Sequence, residues 1–346
     1  MHILGGTSDF FGLDMGVSAV RVVQLKGTGP TKTLDRYGQT PITGTVALSD
    51  SKADRQRIAQ VIHELTTRVG ISTKNVAANL PSSRVFTTVI DIDRLPPEEL
   101  AKTISYQAES YIPTPLSQSK IDWAIIGNSP KDPGKIELLL SSVPNDFIER
   151  RLEILESIGL NVVAFEPDNM ALVRAITSPD TAAPWLILDI GNAATDLVVV
   201  VGGMPHLARS IPMGQQAFVR AAIQGLGVDP SQAEQFVFKF GLSRDKLEGQ
   251  VYDAIIGTID GLVAEIEKSI KFFGERYRGA KLEGIVVTGG ASTLPELPLY
   301  LANKFNLNVE IGNAWRNVNV PTERQNEVLA VSNHFAVAVG LAERET

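Results

Sequence analysis

The chain contains no cysteine. That excludes a disulfide framework and any thiolate metal site. Histidine is scarce as well. His2, His63, His206 and His334 are scattered and show no ligand spacing. A basic surface is also missing, because the formal net charge is −7. Non-specific nucleic-acid binding needs a basic face, so nucleic acid is not an expected partner. No hydrophobic run is long enough to span a bilayer, which takes about twenty mostly apolar residues. The longest, Trp185 to Val201, is broken by Asp189, Asn192 and Asp196. The opening segment MHILGGTSDF has neither a basic flank nor an apolar h-region, so it does not read as a signal peptide. The closing LAERET is short and polar and offers no amphipathic anchor. No direct membrane insertion is expected.

What the chain does have is apolar content and length. Hydrophobic residues make up 44% of 346 positions. That is enough for sizeable cores and too long for one, so two or more domains are expected. The composition fits a soluble cytoplasmic protein.

Two segments repeat one another. GLDMGVSAVRVVQL, Gly12 to Leu25, aligns with ILDIGNAATDLVVV, Ile187 to Val200. Leu13 falls on Leu188, Asp14 on Asp189, Gly16 on Gly191, and Val22–Val23 on Leu197–Val198. Each copy reads as an apolar strand, a tight glycine turn and a second apolar strand. Glycine lets backbone approach phosphate closely and reach positive φ where needed. Successive turn amides form a nest for anions. Ser18 and Thr195 place hydroxyls near the two turns. Asp14 and Asp189 suit Mg²⁺, a hard ion held through waters, a few carboxylates and substrate phosphates. A third turn, VVTGGAS from Val286 to Ser292, follows an apolar strand. Its Gly289 and Gly290 leave room for a flat ring or an α-phosphate.

The remaining pattern is mixed α/β. A strand is expected at 33–37, a helix over 53–69 with Ile58, Val61, Ile62 and Leu65 on one face, and a strand at 75–80. A β-α-β-β-α block follows over 82–159, opened by Pro96–Pro97 at its first helix. A strand at 160–164 and a helix at 168–176 lead to a hinge at 179–184. After the second hairpin come helices at 215–225, 231–240 and 252–277. A strand at 284–287, a helix over 294–305, a strand at 309–311 and one closing helix over 327–341 complete the chain.

Two phosphate hairpins and a third glycine turn in this order resemble the actin-like ATPase superfamily. The string QAESYIPTPLSQSKIDWAII (Gln107 to Ile126), NAWRNVNVP (Asn313 to Pro321) and HFAVAVGLA (His334 to Ala342) narrow this. They are similar to stretches of the PilM family, the actin-like proteins of type IV pilus assembly, and the resemblance spans nearly the whole chain. It implies an α/β actin-like ATPase fold, with two lobes around a nucleotide cleft and an FtsA/PilM-type subdomain inserted in the first lobe. The expected division is 1–81 with 160–183 as first-lobe core, closed by 327–346. The insert is 82–159, and the second lobe is 184–326 with 212–280 helical.

Carried over residue by residue, the resemblance places ATP against Asp14, Gly16, Ser18, Asp189, Gly191, Asn192, Thr195, Gly214, Glu265, Lys268, Gly289, Gly290 and Ala291. Mg²⁺ falls to Asp14 and Asp189, through water. Glu265 and Lys268 read equally well as a solvated i,i+3 charge pair. The water-orienting position falls on Asp168, with Glu166 as the alternative, and Asp168 also reads as an ordinary first-turn acid. The family's AExxKxxYG string appears here as AEQFVFKFG, with Val237 where lysine is usual and Lys239 two residues on. Turnover, if any, is expected to be slow. The resemblance also implies a partner, the N-terminal cytoplasmic tail of a PilN-like inner-membrane protein. That tail is expected in a groove between the insert and the first-half core, with Phe86, Ile104, Tyr106 and Tyr111 as its lining. Other pilus assembly proteins are further candidate partners. Membrane association is then peripheral, through the partner. The competing readings are a filament-forming FtsA-like ATPase and a small-molecule kinase on the same fold. No kinase-specific string is present, and the polar C-terminus disfavours FtsA-like attachment.

Overall fold

The structure is a computed structural model that describes residues 9–27, 29, 31–47, 49–178 and 182–345. His2, most of the opening segment and the first residues of the expected hinge at 179–184 lie outside the described residues.

In chain order, β1 (Phe11–Met15), β2 (Ala19–Lys26) and β3 (Lys32–Pro41) form a meander. Helices α1 (Gly44–Ala47) and α2 (Lys52–Val69) lead to β4 (Asn75–Leu80). Then come β5 (Phe86–Asp93), α3 (Pro97–Gln107), β6 (Ser119–Asn128) and β7 (Lys135–Pro144). Helix α4 (Asn145–Glu156), β8 (Asn161–Pro167) and α5 (Asp168–Ile176) end the first half. The second half opens with β9 (Trp185–Ile190), β10 (Thr195–Val201) and β11 (Met204–Ile211). Helices α6 (Gln215–Leu226), α7 (Pro230–Phe240) and α8 (Gln250–Arg276) follow. The chain continues through β12 (Gly284–Thr288), α9 (Leu297–Phe305), β13 (Asn308–Ile311) and β14 (Val318–Asn319). It ends with α10 (Gln325–Leu329) and α11 (Ala336–Glu343).

Local chemistry sets these limits. At the start of α2, Ser51 accepts a hydrogen bond from the Asp54 amide, satisfying one orphan donor of the first turn. Gly70 ends the helix in the left-handed region and donates back to Thr66. Between them Ile58, Ala59, Ile62 and Leu65 fall on one buried face. Burying each larger side chain contributes about 1.5–3 kcal/mol.

Two compact units result. The first gathers residues up to Val85, Val143–Ser178 and those from Asn313 on; the second gathers Phe86–Ser142 and Pro179–Gly312. The first unit holds a sheet ordered β14-β3-β2-β1-β4-β8, and the second a sheet ordered β11-β10-β9-β12-β13. Apart from β14, the two orders are the same: the third, second, first, fourth and fifth strand of each sheet, counted in chain order. In both, the first strand pairs antiparallel with the second and parallel with the fourth. The repeat seen in two short segments is thus a repeat of whole sheets.

These boundaries cut across the block expected at 82–159. Strands β5, β7 and β6 form a separate three-stranded sheet in the second unit. Glu137 on β7, 1% exposed, explains the attachment. It accepts bonds from Arg276 Nε (2.8 Å) and Nη2 (2.6 Å) and from the Tyr277 hydroxyl (2.9 Å) at the end of α8. Arg276 also reaches Asp91 on β5 at 3.0 Å. Helix α4 instead buries Ile154 and Leu155 in the core under the first sheet.

The closing segment differs from its expectation too. One helix over 327–341 is replaced by α10 and α11, with a 3₁₀ turn at Ser332–His334 between them. Helix α11 packs so closely on α5 that a Cβ on Gly340 would lie 1.8 Å from the Ala171 carbonyl oxygen. Strands β11 and β14 were not expected. Pro205, His206 and Arg209 mask the apolar alternation of the first, and the second is two residues long.

Candidate functional site

The two repeated hairpins are built alike. In the first, Leu13 faces Val22, Asp14 faces Arg21 and Met15 faces Val20. In the second, Leu188 faces Leu197, Asp189 faces Asp196 and Ile190 faces Thr195. The Gly16 amide closes the first turn on the Ala19 carbonyl at 3.1 Å, and the Gly191 amide closes the second on the Ala194 carbonyl at 2.9 Å. Neither glycine takes positive φ. Their need is space: a Cβ would sit 3.0 Å from the Ala19 oxygen in one turn and 3.1 Å from the Ala194 oxygen in the other.

The cross-strand neighbour separates the copies. In the first hairpin Arg21 reaches Asp14 at 3.1 Å, and both side chains are mostly buried. Burial pushes the Asp14 carboxyl above its ordinary range, opposed by Arg21 and by Arg151. The guanidinium of Arg21 also lies along the turn, 3.4 Å from where a Gly16 Cβ would be. Its Nε is buried with no hydrogen-bond partner. In the second hairpin Asp196 takes the place of Arg21. The two carboxylates of the second hairpin thus stand opposite one another on the ladder, where the first hairpin sets a carboxylate against a guanidinium.

Loops and helix ends hold the second turn. The amides of Gln215 and Gln216, the first residues of α6, donate to the carbonyls of Gly191 and Asn192, each at 3.0 Å. Gly214 makes this possible, because a Cβ there would meet the Gly191 oxygen at 2.5 Å. Gly214 therefore positions the turn from behind. Gly289 approaches from the end of β12 with φ +82°, and a Cβ would lie 2.2 Å from Asp189 Oδ1. So Gly191, Asn192, Gly214, Asp189 and Gly289 lie together around the second turn.

Other expected residues do not offer what was asked of them. Thr195 is fully buried and its hydroxyl is committed to the Met213 carbonyl at 2.7 Å. Ala291 is buried in the core of the second unit, as is Val237 at the usual lysine position. Glu265 binds Lys268 at 2.6 Å and Arg209 at 2.8 Å, which is the solvated charge-pair reading. Glu166 is 4% exposed and holds Arg174 at 2.5 Å and Arg344 at 3.1 Å. A carboxylate so committed cannot orient a water, so the alternative catalytic reading of Glu166 is withdrawn. Asp168 opens α5 after Pro167 and accepts a bond from Asn79 Nδ2 at 2.9 Å. Among the described residues no three acidic or histidine side chains form a metal cage.

The first unit also contains a pocket beside its turn. Met15, Gly16, Val17, Ile42, Ile58, Phe147 and Ile154 line it together with Arg55, Arg84, Arg150, Arg151 and Asp50. The guanidiniums of Arg84 and Arg151 lie 5.8 Å and 5.1 Å from the Phe147 ring centre. Burial lowers Arg151 to about 10, with Asp168 and Asp14 opposing, so it stays charged at neutral pH. Of the four residues expected to line a partner groove, Ile104 is fully buried in the core of the three-stranded sheet. It is a packing residue and not a surface one. Phe86, Tyr106 and Tyr111 are 37%, 83% and 45% exposed. Sequence reasoning missed Arg21, Asn79 and the arginines around Phe147. For Arg21 a signal existed, since the aligned hairpins set it opposite Asp196.

Comparison with known proteins agrees with this architecture. A structure described as a PilM-PilN type IV pilus biogenesis complex matches at 25% identity and TM-score 0.83, covering 97% of this chain and 98% of that one. The ethanolamine utilization protein EutJ from Carboxydothermus hydrogenoformans matches at 14% identity and TM-score 0.57, over 96% and 88%. MreB5 of Spiroplasma citri, bound to AMPPNP, matches at 15% identity and TM-score 0.57, over 97% and 95%. These likenesses identify the fold as actin-like. No described helix is long and apolar enough to cross a membrane. The family profile of the type IV pilus assembly protein PilM matches residues 12–346, and the chain belongs to that family.

Proposed function

We propose that this chain is a cytoplasmic nucleotide-binding scaffold of type IV pilus assembly, which holds the N-terminal tail of a PilN-like inner-membrane protein. The observation that carries the nucleotide reading is the identical closure and register of the two Asp-x-Gly hairpins. The turn amides of the first hairpin at Val17 and Ser18, and those of Asn192 and Ala193 in the second, are the donors for phosphate oxygens. Arg21 adds a guanidinium beside the first turn. Asp14 and Asp189 are the carboxylates we assign to Mg²⁺ held through water, and Asp14 also has Arg21 within 3.1 Å. Bound Mg²⁺ neutralises phosphate charge. Asp168 is the remaining candidate to orient a water, and turnover stays well below the roughly 10 s⁻¹ of metabolic enzymes.

The arginine-rimmed pocket of the first unit is the seat we assign to the tail. All of its lining residues belong to the first unit, and none of the four residues expected to line a groove is among them. Ile42, Ile58, Phe147 and Ile154 offer apolar surface, and the guanidiniums offer donors to main-chain carbonyls. Membrane association is then borrowed from the partner. MreB5 bound to AMPPNP and the PilM-PilN complex support this reading. The test is calorimetry with a peptide of the partner's first dozen or so residues. Wild type should bind one peptide, and Phe147→Ala should lose at least tenfold in affinity while its response to Mg-ATP is kept. Unchanged affinity in Phe147→Ala would place the tail elsewhere, with exposed Tyr106 and Tyr111 the next surface to test.

A further inference from the structure

Asn79 lies at the end of β4 and is 1% exposed. Its Oδ1 accepts the Met15 amide at 2.8 Å, and its Nδ2 donates to Asp168 Oδ1 at 2.9 Å. The backbone N–H can only donate, so it fixes which end of the amide faces which neighbour. Asn79 must then donate to Asp168, which presents an accepting oxygen in return. One buried amide thus ties the turn after Asp14 to the first residue of α5. Arg151 on α4 carries a charge that faces Asp168; it also faces Asp14 on β1 and is faced by Arg84 and Asp50. Asp14 has Arg21 as its direct partner.

We propose that Asn79 is a positioning residue of the nucleotide site, setting the first turn and Asp168 in one fixed relation. This rests on the nucleotide reading above. Asn79 touches no phosphate. It engages the Met15 amide, and the Gly16 amide closes the turn on Ala19, which leaves the amides of Val17 and Ser18 as the ones offered to phosphate in this reading. It also holds Asp168 Oδ1 as an acceptor. The chemistry asks for an amide here. Aspartate has nearly the same shape and still accepts from Met15, but it sets a second carboxylate against Asp168. Two carboxylates at hydrogen-bond distance share a proton, and one of them titrates well above its ordinary range.

The experiment compares wild type with Asn79→Asp, Asp168→Asn and the double variant. Thermal midpoints are read from pH 5 to pH 8, and Mg-ATP affinity by calorimetry. In Asn79→Asp a raised carboxylate contributes stability below its unfolded value and loses it as pH rises through the folded one. This variant should therefore match wild type best at pH 5 and fall below it by pH 8, with Mg-ATP affinity at least tenfold weaker at pH 8. The double variant restores the bond with its polarity reversed: the new amide at position 168 donates and the new carboxylate at position 79 accepts. It should recover the wild-type melting profile and affinity to within about twofold, while single-turnover hydrolysis stays lost. Parallel pH profiles for Asn79→Asp and wild type would overturn the proposal, as would no recovery in the double variant. If wild type itself binds no Mg-ATP, the nucleotide reading fails, and the melting profiles still decide whether Asn79 couples Met15 to Asp168.

Discussion

Gly289→Ala is the substitution with the most direct consequence for the site. Gly289 sits at φ +82°, ψ 172°, a region open essentially to glycine alone. Holding alanine there costs about 1–3 kcal/mol. The added Cβ would lie 2.2 Å from Asp189 Oδ1 and 2.6 Å from the Ile190 carbonyl oxygen. Neither atom is the end of a long flexible side chain, so overpacking adds roughly 1–3 kcal/mol. A total near 3 kcal/mol would lower the melting midpoint by roughly 6–12 °C, at about 2–4 °C per kcal/mol for a large domain. Asp189 must also move, so Mg-ATP affinity should drop at least tenfold. Gly274 supplies the control, being exposed on α8 with nothing within 4 Å of its would-be Cβ. Gly274→Ala should gain about 0.5–1 kcal/mol from helix propensity and leave binding unchanged. The assays are differential scanning calorimetry and Mg-ATP titration. A Gly289→Ala protein that melts within about a degree of wild type and binds Mg-ATP normally would refute the packing of Gly289 on Asp189.

Removing Arg276 leaves the buried Glu137 without that counter-charge, with the Tyr277 hydroxyl still bonded to it, so Arg276→Met should cost about 3–5 kcal/mol in urea unfolding, and Glu137→Gln on that background should recover part of it. Ile104→Ala should cost about 2–5 kcal/mol, whereas Tyr106→Ala should change stability by less than about 0.5 kcal/mol, since one is core and the other largely exposed. Burial pushes Glu343 up to about 8, with Arg174 and Lys32 opposing. A carboxyl raised above its unfolded value adds stability below that value and loses it as pH climbs through about 8. Glu343→Gln should therefore flatten the fall in melting temperature between pH 5 and pH 8.5.

The hairpins and their aspartates were legible because both the turn and the apolar alternation are local. Asp14, Gly16, Asp189 and Gly191 occupy positions that a short stretch of sequence defines. The long-range partners were not legible. Asn79 meets Met15 across 64 residues, and nothing in either neighbourhood announces it. Thr195 looked available because a hydroxyl near a turn gives no sign that a carbonyl eighteen residues away has claimed it. Ile104 and Tyr106 stand two apart on one helix and so face opposite ways, a distinction that apolar character alone hides. The 82–159 block read as one subdomain because its elements are consecutive. Packing divides it: the Glu137–Arg276 bond ties the strands to α8, and Ile154 and Leu155 tie α4 to the first sheet.

The most direct test of the account is the stabilisation of the intact chain by Mg-ATP. At about a hundred times its dissociation constant, a ligand that binds only the folded state adds roughly 2.7 kcal/mol, or about 5–10 °C in the melting midpoint. Wild type should show that rise. Asp189→Ala should fold normally without nucleotide and lose most of the rise. A wild-type protein that melts at the same temperature with and without saturating Mg-ATP, or an Asp189→Ala protein that keeps the full rise, would contradict the assignment of the paired hairpins.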